Sequence, residues 1–274
     1  MSVTWKPRAY LIVVLAVCTA LGLLVKPLAG VAAGQSAREA DGARLLKGAI
    51  DMHFHMDPPG PNATPGNEQA DIAKVRIAQA RGLRALVIKD HNQPTAGLVY
   101  VLRLEVPNFL MYGGIVLNRP NGGINPAAVE FMATQIKGAP GKVVWMPAGD
   151  TQTEVKASRQ PNRPFVSVTR AGDVLPDVKE VIALIAKHNL ALASGHVLPE
   201  DALTVFREAR RQGVQHMIAT HAMDSVGKMT IPQMQEVAKI GAIIEFDYRN
   251  VFDDGGRRLD AIRTIGPESE QVNE

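Results

Sequence analysis

Short apolar runs alternate along this chain with longer stretches in which apolar positions recur at helical spacing, beginning at Gly48. The short runs are rich in β-branched residues, which is typical of buried strands. They predict strands at Ala49–Phe54, Ala85–Lys89, Leu110–Leu117, Val143–Met146, Leu190–Ser194, Met217–Thr220 and Ala242–Phe246. The longer stretches predict helices over Glu68–Arg81, Thr95–Leu104, Pro126–Lys137, Pro176–His188, Pro199–Gln212, Ile231–Ile240 and Arg258–Ile265. Because each strand is followed by a helix, the pattern indicates the α/β class with a parallel sheet.

The unbroken alternation also bears on the arrangement of the sheet. No Gly/Ser-rich linker divides the chain after Gly48, and no Gly-x-Gly-x-x-Gly motif follows the first predicted strand. Both observations favour a closed parallel barrel over a doubly wound, dinucleotide-binding sheet. The polar segment Thr151–Asp173, rich in Pro and Arg, is predicted to be a loop over the mouth of that barrel, where substrate contacts are common.

The N-terminal segment has the composition of an export signal. Lys6 and Arg8 precede the apolar run Ala9–Val25, and small residues follow as far as Gly34. This order matches the charged, apolar and cleavage regions of a secretory signal, so residues 1–34 are predicted to be a signal peptide. The alternative is an uncleaved membrane anchor at residues 9–25. In either case the folded part, residues 48–274, is predicted to be exported, either periplasmic or secreted.

Composition narrows the function classes once the leader is set aside. The chain has 30 basic and 27 acidic residues, but Lys6, Arg8 and Lys26 belong to the leader, so the remainder is neutral. A neutral domain gives no electrostatic basis for binding nucleic acid. The only cysteine, Cys18, is also in the leader, which excludes disulfides and Cys-ligated metals from the folded part. The predicted partner is a small-molecule substrate, and the membrane is contacted only through an uncleaved leader; no oligomeric state is predicted.

Histidines supply the candidate chemistry. Of the seven histidines, five lie at or just beyond the C-terminal ends of predicted strands: His53, His55, His91, His196 and His221. The first two are spaced by two on one strand and therefore share a face. In an α/β barrel all these strand ends meet at one mouth, where active sites lie. His188 and His216 lie at a helix end and at the opposite end of a strand, and both are predicted to be structural.

Five converging imidazoles predict a metal site. Neutral imidazole favours Zn²⁺ or another divalent first-row metal, and the five ligands would suit one or two ions. Such an ion activates water, so the site predicts hydrolysis or, less commonly, hydration or decarboxylation. Four aspartates near the histidines in sequence are candidates to orient the imidazoles: Asp51, Asp57, Asp90 and Asp224.

These residues resemble the ligand pattern of the amidohydrolase superfamily of metal-dependent hydrolases. There, a His-x-His on the first strand and single histidines on the fifth and sixth strands bind one or two metals inside a (β/α)8 TIM barrel. The resemblance implies that the metal ligands are His53, His55, His196 and His221, with His91 a further ligand or polar contact. Four segments look like a branch of unknown function, the DUF6282 type: Asp51–His55, Leu86–His91, Leu117–Pro126 and Ser194–His196.

The chain departs from the superfamily pattern in two places. The fourth strand ends Val144–Pro147, without the lysine or glutamate that bridges two metals in many members, and Lys89 on the second strand is the predicted substitute. After Ile265 no apolar run suits an eighth strand, which in the superfamily carries the general-base aspartate; Asp247 or Glu245 is predicted to replace it. The predicted fold is therefore a (β/α)8-type TIM barrel lacking the eighth strand unit, with two unpaired strand edges.

The resulting prediction is a hydrolase that uses metal-activated water on an amide, ester or lactone-type substrate. Asn118, Arg119 and Asn121, on the loop after the third strand, are predicted to bind an anionic part of the substrate or else to cap the next helix. Two alternatives stay open. A PHP-type phosphoesterase resembles the chain in its Asp-x-His-x-His opening and has a seven-stranded barrel. A catalytically impaired metal-binding or ligand-binding barrel, truncated before the general base, would explain the missing aspartate.

Overall fold

One curled sheet of parallel strands organises the structure, which is a computed structural model describing residues 44, 46–56, 71–136, 138, 141–224 and 227–246. Its seven strands are β1 Ile50–His55, β2 Ala85–Lys89, β3 Leu110–Val116, β4 Gly141–Trp145, β5 Ala191–Ala193, β6 His216–Ala219 and β7 Ile243–Ile244. Each strand pairs in parallel with the next along the chain. All seven predicted strands are therefore present, although several are shorter than predicted.

Helices connect the successive strands. They are α1 Asp71–Ala80, α2 Ala96–Glu105, α3 Pro126–Thr134, α4 Gln152–Ala157, α5 Pro176–Lys187, α6 Pro199–Arg211 and α7 Ile231–Ile240. Proline occupies the first position of α3, α5 and α6, where its fixed φ suits the helix and its missing N–H is not needed. The predicted start of the first helix at Glu68 and the predicted helix Arg258–Ile265 lie outside the described residues.

The segment Thr151–Asp173 is not the plain loop that its composition predicts. It contains the helix α4 and most of a two-stranded antiparallel hairpin, in which Thr169–Arg170 pairs with Asp173–Val174. Thr151 is the N-cap residue just before α4, because its side-chain oxygen accepts a hydrogen bond from the backbone N–H of Glu154. The loop prediction is therefore wrong in part, since local capping in a Pro- and Arg-rich segment was sufficient to form a short helix.

Strand pairing does not close the sheet within the described residues, where β1 and β7 each pair on one side only. The curl nevertheless brings the C-terminal ends of these outer strands together, because His53 Nδ1 lies 3.0 Å from Oε1 of Glu245, the residue after β7. The predicted α/β class and the parallel strands in chain order are confirmed, whereas a closed barrel is not. The predicted lack of an eighth strand concerns residues 247–274, which lie outside the described part.

Alternation along the strands separates the two faces of the sheet. Ile88 faces outward and packs in an apolar cluster with side chains of α1 and α2, whereas its neighbour Val87 packs on the inner face with Val143 and Trp145. Because side chains alternate along a strand, Lys89 points to the same interior as Val87. The inner face of the sheet therefore has a layer of apolar side chains, and the polar side chains at the strand ends lie next to this layer.

Gly114 in β3 leaves the space that Trp145 occupies in this layer. A Cβ at position 114 would lie 2.3 Å from Cζ3 of the indole and 2.5 Å from the carbonyl oxygen of Val143. The centroid of the indole lies 6.0 Å from that of the His53 ring. Glycine normally weakens a strand, but Gly114 is required here because any side chain at this position would displace Trp145.

The predicted leader, residues 1–34, lies outside the described residues, so its cleavage and the export of the chain stay predictions. None of the helices that the structure describes combines the length and the apolar character needed to cross a bilayer.

Candidate metal centre

Five imidazoles form a closed ring at the C-terminal end of the sheet. The centroid distances around the ring are 5.0 Å for His53 and His55, 4.9 Å for His55 and His91, 6.3 Å for His91 and His196, 5.6 Å for His196 and His221, and 4.5 Å for His221 and His53. These are the same histidines that the strand pattern singles out. The structure therefore brings together all five predicted metal-site residues.

Local backbone geometry places the two histidines that come from distant parts of the sequence. Gly195, at φ +60°, precedes His196, and a Cβ at position 195 would lie 2.2 Å from the carbonyl oxygen of Met146. This close approach lets the backbone N–H of His196 donate to the carbonyl of Pro147 at 2.9 Å. His221 itself is in the left-handed region at φ +47°, a conformation that is uncommon outside glycine and occurs at functional turns.

His188 and His216 lie apart from the ring. His188 caps the C-terminus of α5, and its Nε2 lies 2.6 Å from Glu130 Oε2 on α3, which ties the two helices together. His216 is the first residue of β6, at the other end of the sheet, and is exposed. Both positions agree with the structural roles that the sequence predicts for them.

Glu245 supplies a carboxylate to the ring. Its two oxygens lie 3.0 and 3.1 Å from His53 Nδ1, and Oε2 accepts a hydrogen bond of 3.1 Å from the backbone N–H of His221. His53, His221 and Glu245 each offer a ligand atom within 4.8 Å of the other two, an arrangement that could hold a metal ion. The sequence names Glu245 only as an alternative to Asp247, which lies outside the described residues.

Lys89 reaches the ring from below. The side chain is fully buried, and its Nζ lies 2.9 Å from His53 Nε2 and 5.6 Å from the centroid of the Trp145 ring. A buried ammonium group normally needs such polar and aromatic neighbours to offset the loss of water. Lys89 thus lies beside His53, a predicted metal ligand, and its role in bridging two metals stays a prediction.

Glu154 is a functional candidate that the sequence does not reveal. It lies on α4, and its Oε1 is 3.4 Å from His196 Nδ1. The pattern Thr151-x-x-Glu154 is a signal for a helix start, but nothing in it indicates that the carboxylate reaches a histidine more than forty residues away. Only the fold of the segment after β4 brings the two side chains together.

Burial favours the neutral form of three of the imidazoles, those of His53, His196 and His221. It lowers the pKa of His53 to about 2, helped by the charge of Lys89, and lowers the pKa of His221 to about 3, helped by His53. The pKa of His196 is also lowered by burial, although Glu154 partly offsets this effect. Burial raises the pKa of Glu245 above its ordinary value, against the attraction of His221. Neutral imidazole is the form that binds metal.

The donor set fits a first-row divalent cation. Both ring nitrogens of His196 are buried, and Nε2 has no hydrogen-bond partner among the described residues. An orphaned buried acceptor is costly unless a proton or cation satisfies it. Several imidazole nitrogens with a single carboxylate form the ligand chemistry that zinc and related ions prefer.

The predicted orienting aspartates have different roles. Asp51 Oδ1 accepts a hydrogen bond of 2.9 Å from the backbone N–H of His53, so it fixes the backbone next to one ring member. Asp90 is buried and accepts from the N–H of Asn92 and from the amide of Gln93, each at 2.7 Å, which shapes the loop after β2. Asp224 is buried close to His221 in the chain, and Asp57 lies outside the described residues.

The three predicted substrate-binding residues, Asn118, Arg119 and Asn121, lie in the turn after β3 and make different contacts. The buried Asn118 amide donates to the carbonyl of His91 at 3.0 Å and accepts from the N–H of Ala148 at 2.9 Å. The buried Asn121 amide donates to the carbonyl of Val116 at 2.7 Å. These contacts fix both amides in the loops. Arg119 is exposed, and it lines a cavity beside the ring together with Asn118.

A family profile matches residues 48–245, from just before β1 to Glu245, and describes a family of unknown function, DUF6282. The chain belongs to the DUF6282 family. The match includes all five ring histidines and Lys89, and it confirms the resemblance to this branch that the four sequence segments indicate. No curated protein matches the chain.

Several solved structures have similar folds at low identity. A probable mandelate racemase from Alicyclobacillus acidocaldarius is 12% identical over 84% of this chain and 51% of its own, with a TM-score of 0.44. An organophosphate hydrolase engineered from a weak promiscuous lactonase template is 15% identical over 82% and 75%, with a TM-score of 0.49. An uncharacterised protein from Clostridium thermocellum, which binds two copies of 5-methyl-5,6,7,8-tetrahydrofolic acid, is 12% identical over 85% and 86%, with a TM-score of 0.42. The chain spans about half the length of the first of these structures.

Proposed function

We propose that this DUF6282 protein is a metal-dependent hydrolase that acts on an amide, ester or lactone-type bond through activated water. The observation that carries the proposal is the closed ring of five imidazoles with Glu245 at its edge. The ring lies at the C-terminal end of a parallel sheet, where enzymes of this architecture place their sites. A purely structural role would not need so many imidazoles in contact with one another.

The ion would be held first by His53, His221 and Glu245, whose ligand atoms already lie within 4.8 Å of one another. The remaining imidazoles of the ring, His55, His91 and His196, adjoin this group and would suit a second ion. When bound, a divalent ion of this kind supplies Lewis acidity, which makes water or a carbonyl group more reactive. Zinc fits the donor set best because imidazole nitrogens dominate it.

Glu245 is the residue we assign to proton transfer. Burial raises the pKa of its carboxyl, so Oε1 or Oε2 is a stronger base than an exposed glutamate and is better matched to accepting a proton from the attacking water. The same carboxylate holds His53 Nδ1 and the backbone N–H of His221 in place. In this role Glu245 takes the place of the general-base aspartate of the amidohydrolase pattern, and a carboxylate so placed favours a hydrolase over a catalytically impaired barrel.

Metal analysis of the purified protein tests the site. We expect one to two equivalents of zinc or a similar metal per chain in the wild type, and a large loss in the His53→Ala/His55→Ala variant. His216→Ala is the matched control because that histidine is exposed at the other end of β6. Stoichiometric metal retained by the double variant, or none in the wild type after zinc is supplied, would refute the metal centre.

A substrate screen tests the reaction class. We expect turnover of lactones, esters or amides, and Glu245→Gln should lower kcat by about a hundredfold or more, as loss of a general base does. Turnover of phosphomonoesters alone would contradict this assignment and favour a phosphoesterase. No turnover by metal-loaded protein across the whole panel would favour a ligand-binding barrel.

A further inference from the structure

A cavity of about 560 Å³ opens beside the imidazole ring. His91, a member of the ring, forms one part of its wall, and Arg119 and Arg163 form another. The side chains of Asn92 and Gln160 also line it. The cavity therefore joins the candidate metal centre to a cationic and amide-rich wall, and it is large enough for a small organic molecule.

The two arginines of this cavity, Arg119 and Arg163, differ in whether a carboxylate pairs with the guanidinium. Arg163 forms an ion pair with Asp150 and donates to the carbonyl of Gly149 at 2.6 Å. Asp150 is buried, and its second oxygen accepts the backbone N–H of Arg119 at 2.7 Å. The charges of Arg163 and Asp150 thus offset each other.

The guanidinium of Arg119 has no ion pair or hydrogen bond with any of the residues that the structure describes. It leaves the cavity with one uncompensated positive charge. An arginine presents several N–H donors in a planar fork that matches a carboxylate or a phosphate group.

The position of Arg119 relative to the ring is fixed by the surrounding backbone. Asn118 links the carbonyl of His91 to the N–H of Ala148, and Asp150 holds the N–H of Arg119 itself. Pro120 follows within the short 3-10 turn and limits its backbone freedom. Because loops after three different strands are joined here, the backbone that carries Arg119 is held at the edge of the cavity beside the ring.

From these contacts we infer that the substrate is an anion, with a carboxylate or phosphate group bound by Arg119 and its reacting bond directed toward His91 and the ring. Asn92 and Gln160 supply additional donors on the same wall. The inference rests on the proposed function for the position of the reacting bond, but anion binding at Arg119 does not depend on a metal. Arg119 is thus a specificity residue, and neutral analogues of the substrate should bind more weakly.

Calorimetric titration with three small probes tests the anion site without any turnover. Inorganic phosphate, benzoate and its neutral counterpart benzamide are titrated into the full-length protein, both wild type and His53→Ala/His55→Ala. The double variant removes the competing attraction of a metal for the anions. In each background Arg119→Gln removes the charge, Arg119→Lys keeps it without the fork, and Arg76→Gln on the exposed face of α1 is the matched control.

We expect phosphate or benzoate to bind in both backgrounds and benzamide to bind at least tenfold more weakly, since a neutral amide cannot form the charge-assisted hydrogen bonds that a carboxylate forms with a guanidinium. Arg119→Gln should weaken anion binding about tenfold or more, Arg119→Lys by less, and Arg76→Gln not at all. Binding of phosphate alone would assign a phosphorylated substrate, and binding of benzoate alone a carboxylate.

The inference is overturned if neither anion binds, or if Arg119→Gln binds both anions as tightly as the Arg76→Gln control does. Among the described residues the guanidinium of Arg119 forms no ion pair or hydrogen bond, so the melting temperature of Arg119→Gln should equal that of the wild type. Metal content is measured on the same samples. A metal-free protein that still binds anions through Arg119 would contradict the proposed function while supporting this inference, and a metalloprotein without Arg119-dependent binding would do the reverse.

Discussion

Acidification of the metal-free protein below pH 6.5 should remove much of its stability. Burial lowers the pKa of His53 from 6.5 to about 2 and that of His221 to about 3. Above pH 6.5 both imidazoles are neutral in the folded and the unfolded chain. Below it, the unfolded chain binds protons that the folded chain cannot accept, so the free energy of unfolding falls as the pH falls toward the folded pKa values.

The size of the effect follows from these pKa values. At pH 4.5 both buried imidazoles are still neutral in the folded state, while the unfolded chain has passed two pH units below their ordinary pKa. Each pH unit corresponds to about 1.36 kcal/mol per group, so each imidazole costs about 2.7 kcal/mol and the pair about 5 kcal/mol. Their side chains are only 11% and 9% exposed, so little of this is screened by solvent. Such a loss is comparable to the whole stability of many domains.

Two carboxylates modify this balance. The raised pKa of Glu245 means that the folded chain takes up that proton before the unfolded chain does, which adds stability as the pH falls. The pKa of Glu154 is lowered by its hydrogen bond with His196, so its contribution is lost on acidification, mainly below its ordinary pKa of 4.5. A comparison with a variant that keeps both carboxylates separates the imidazole effect from theirs.

Urea unfolding of the chelator-treated protein, followed by circular dichroism between pH 7 and pH 4.5, measures the effect. The wild type should lose about 5 kcal/mol more across this range than the His53→Asn/His221→Asn variant does. His216→Asn, which changes an exposed histidine outside the ring, should behave as the wild type. If the wild type and the double variant lose the same free energy within about 1 kcal/mol, the argument that burial holds these imidazoles neutral is wrong.

Three further substitutions probe how the site is held. Gly195→Ala should lower the free energy of unfolding by about 2 kcal/mol or more in urea titrations, because its Cβ would lie 2.2 Å from the carbonyl oxygen of Met146. The control Gly97→Ala, whose Cβ would have nothing within 4 Å, should be neutral or slightly stabilising. Equal effects of the two substitutions would refute the packing argument. Asn118→Ala should lower the free energy of unfolding by about 2–3 kcal/mol in the same assay, because it leaves the His91 carbonyl and the Ala148 N–H unpaired. The control Asn92→Ala should lower it by less than about 0.5 kcal/mol. A smaller loss at Asn118 than at Asn92 would contradict this role. Glu154→Gln should weaken zinc affinity about tenfold in competition with a fluorescent chelator, since it removes the carboxylate that orients His196. The control Glu180→Gln changes an exposed glutamate and should leave the affinity unchanged. Unaltered zinc affinity in Glu154→Gln would show that this contact does not support the site.

The ring histidines were predictable because their positions depend only on local patterns. Spacing of two in β1 puts His53 and His55 on one face, and His91, His196 and His221 each follow a short apolar run. Parallel strands bring all such ends to one edge, whatever the curvature of the sheet. The five imidazoles therefore converge in the structure as the sequence predicts, although the sheet does not close by pairing within the described residues.

Contacts between distant residues were not predictable in the same way. The approach of Glu245 to His53 depends on how strongly the sheet curls, and that of Glu154 to His196 depends on a helix in a segment whose composition predicts a loop. Likewise, Asn118, Arg119 and Asn121 look equivalent as polar residues of one turn. Burial and hydrogen bonding fix the two amides in the loops, with Asn118 also at the edge of the cavity, and leave the guanidinium of Arg119 exposed there.

By itself, the sequence determined the α/β class, the order of the seven strands in the described part of the chain, and the set of imidazoles at their ends, because periodicity and strand-end position are local properties of the chain. The tertiary structure alone decided which carboxylates reach the imidazoles, that Lys89 is buried beside His53, and that the guanidinium of Arg119 has no ionic partner among the described residues. These outcomes depend on desolvation and on distances between segments far apart in the chain, and both are fixed only when the sheet curls and its loops pack.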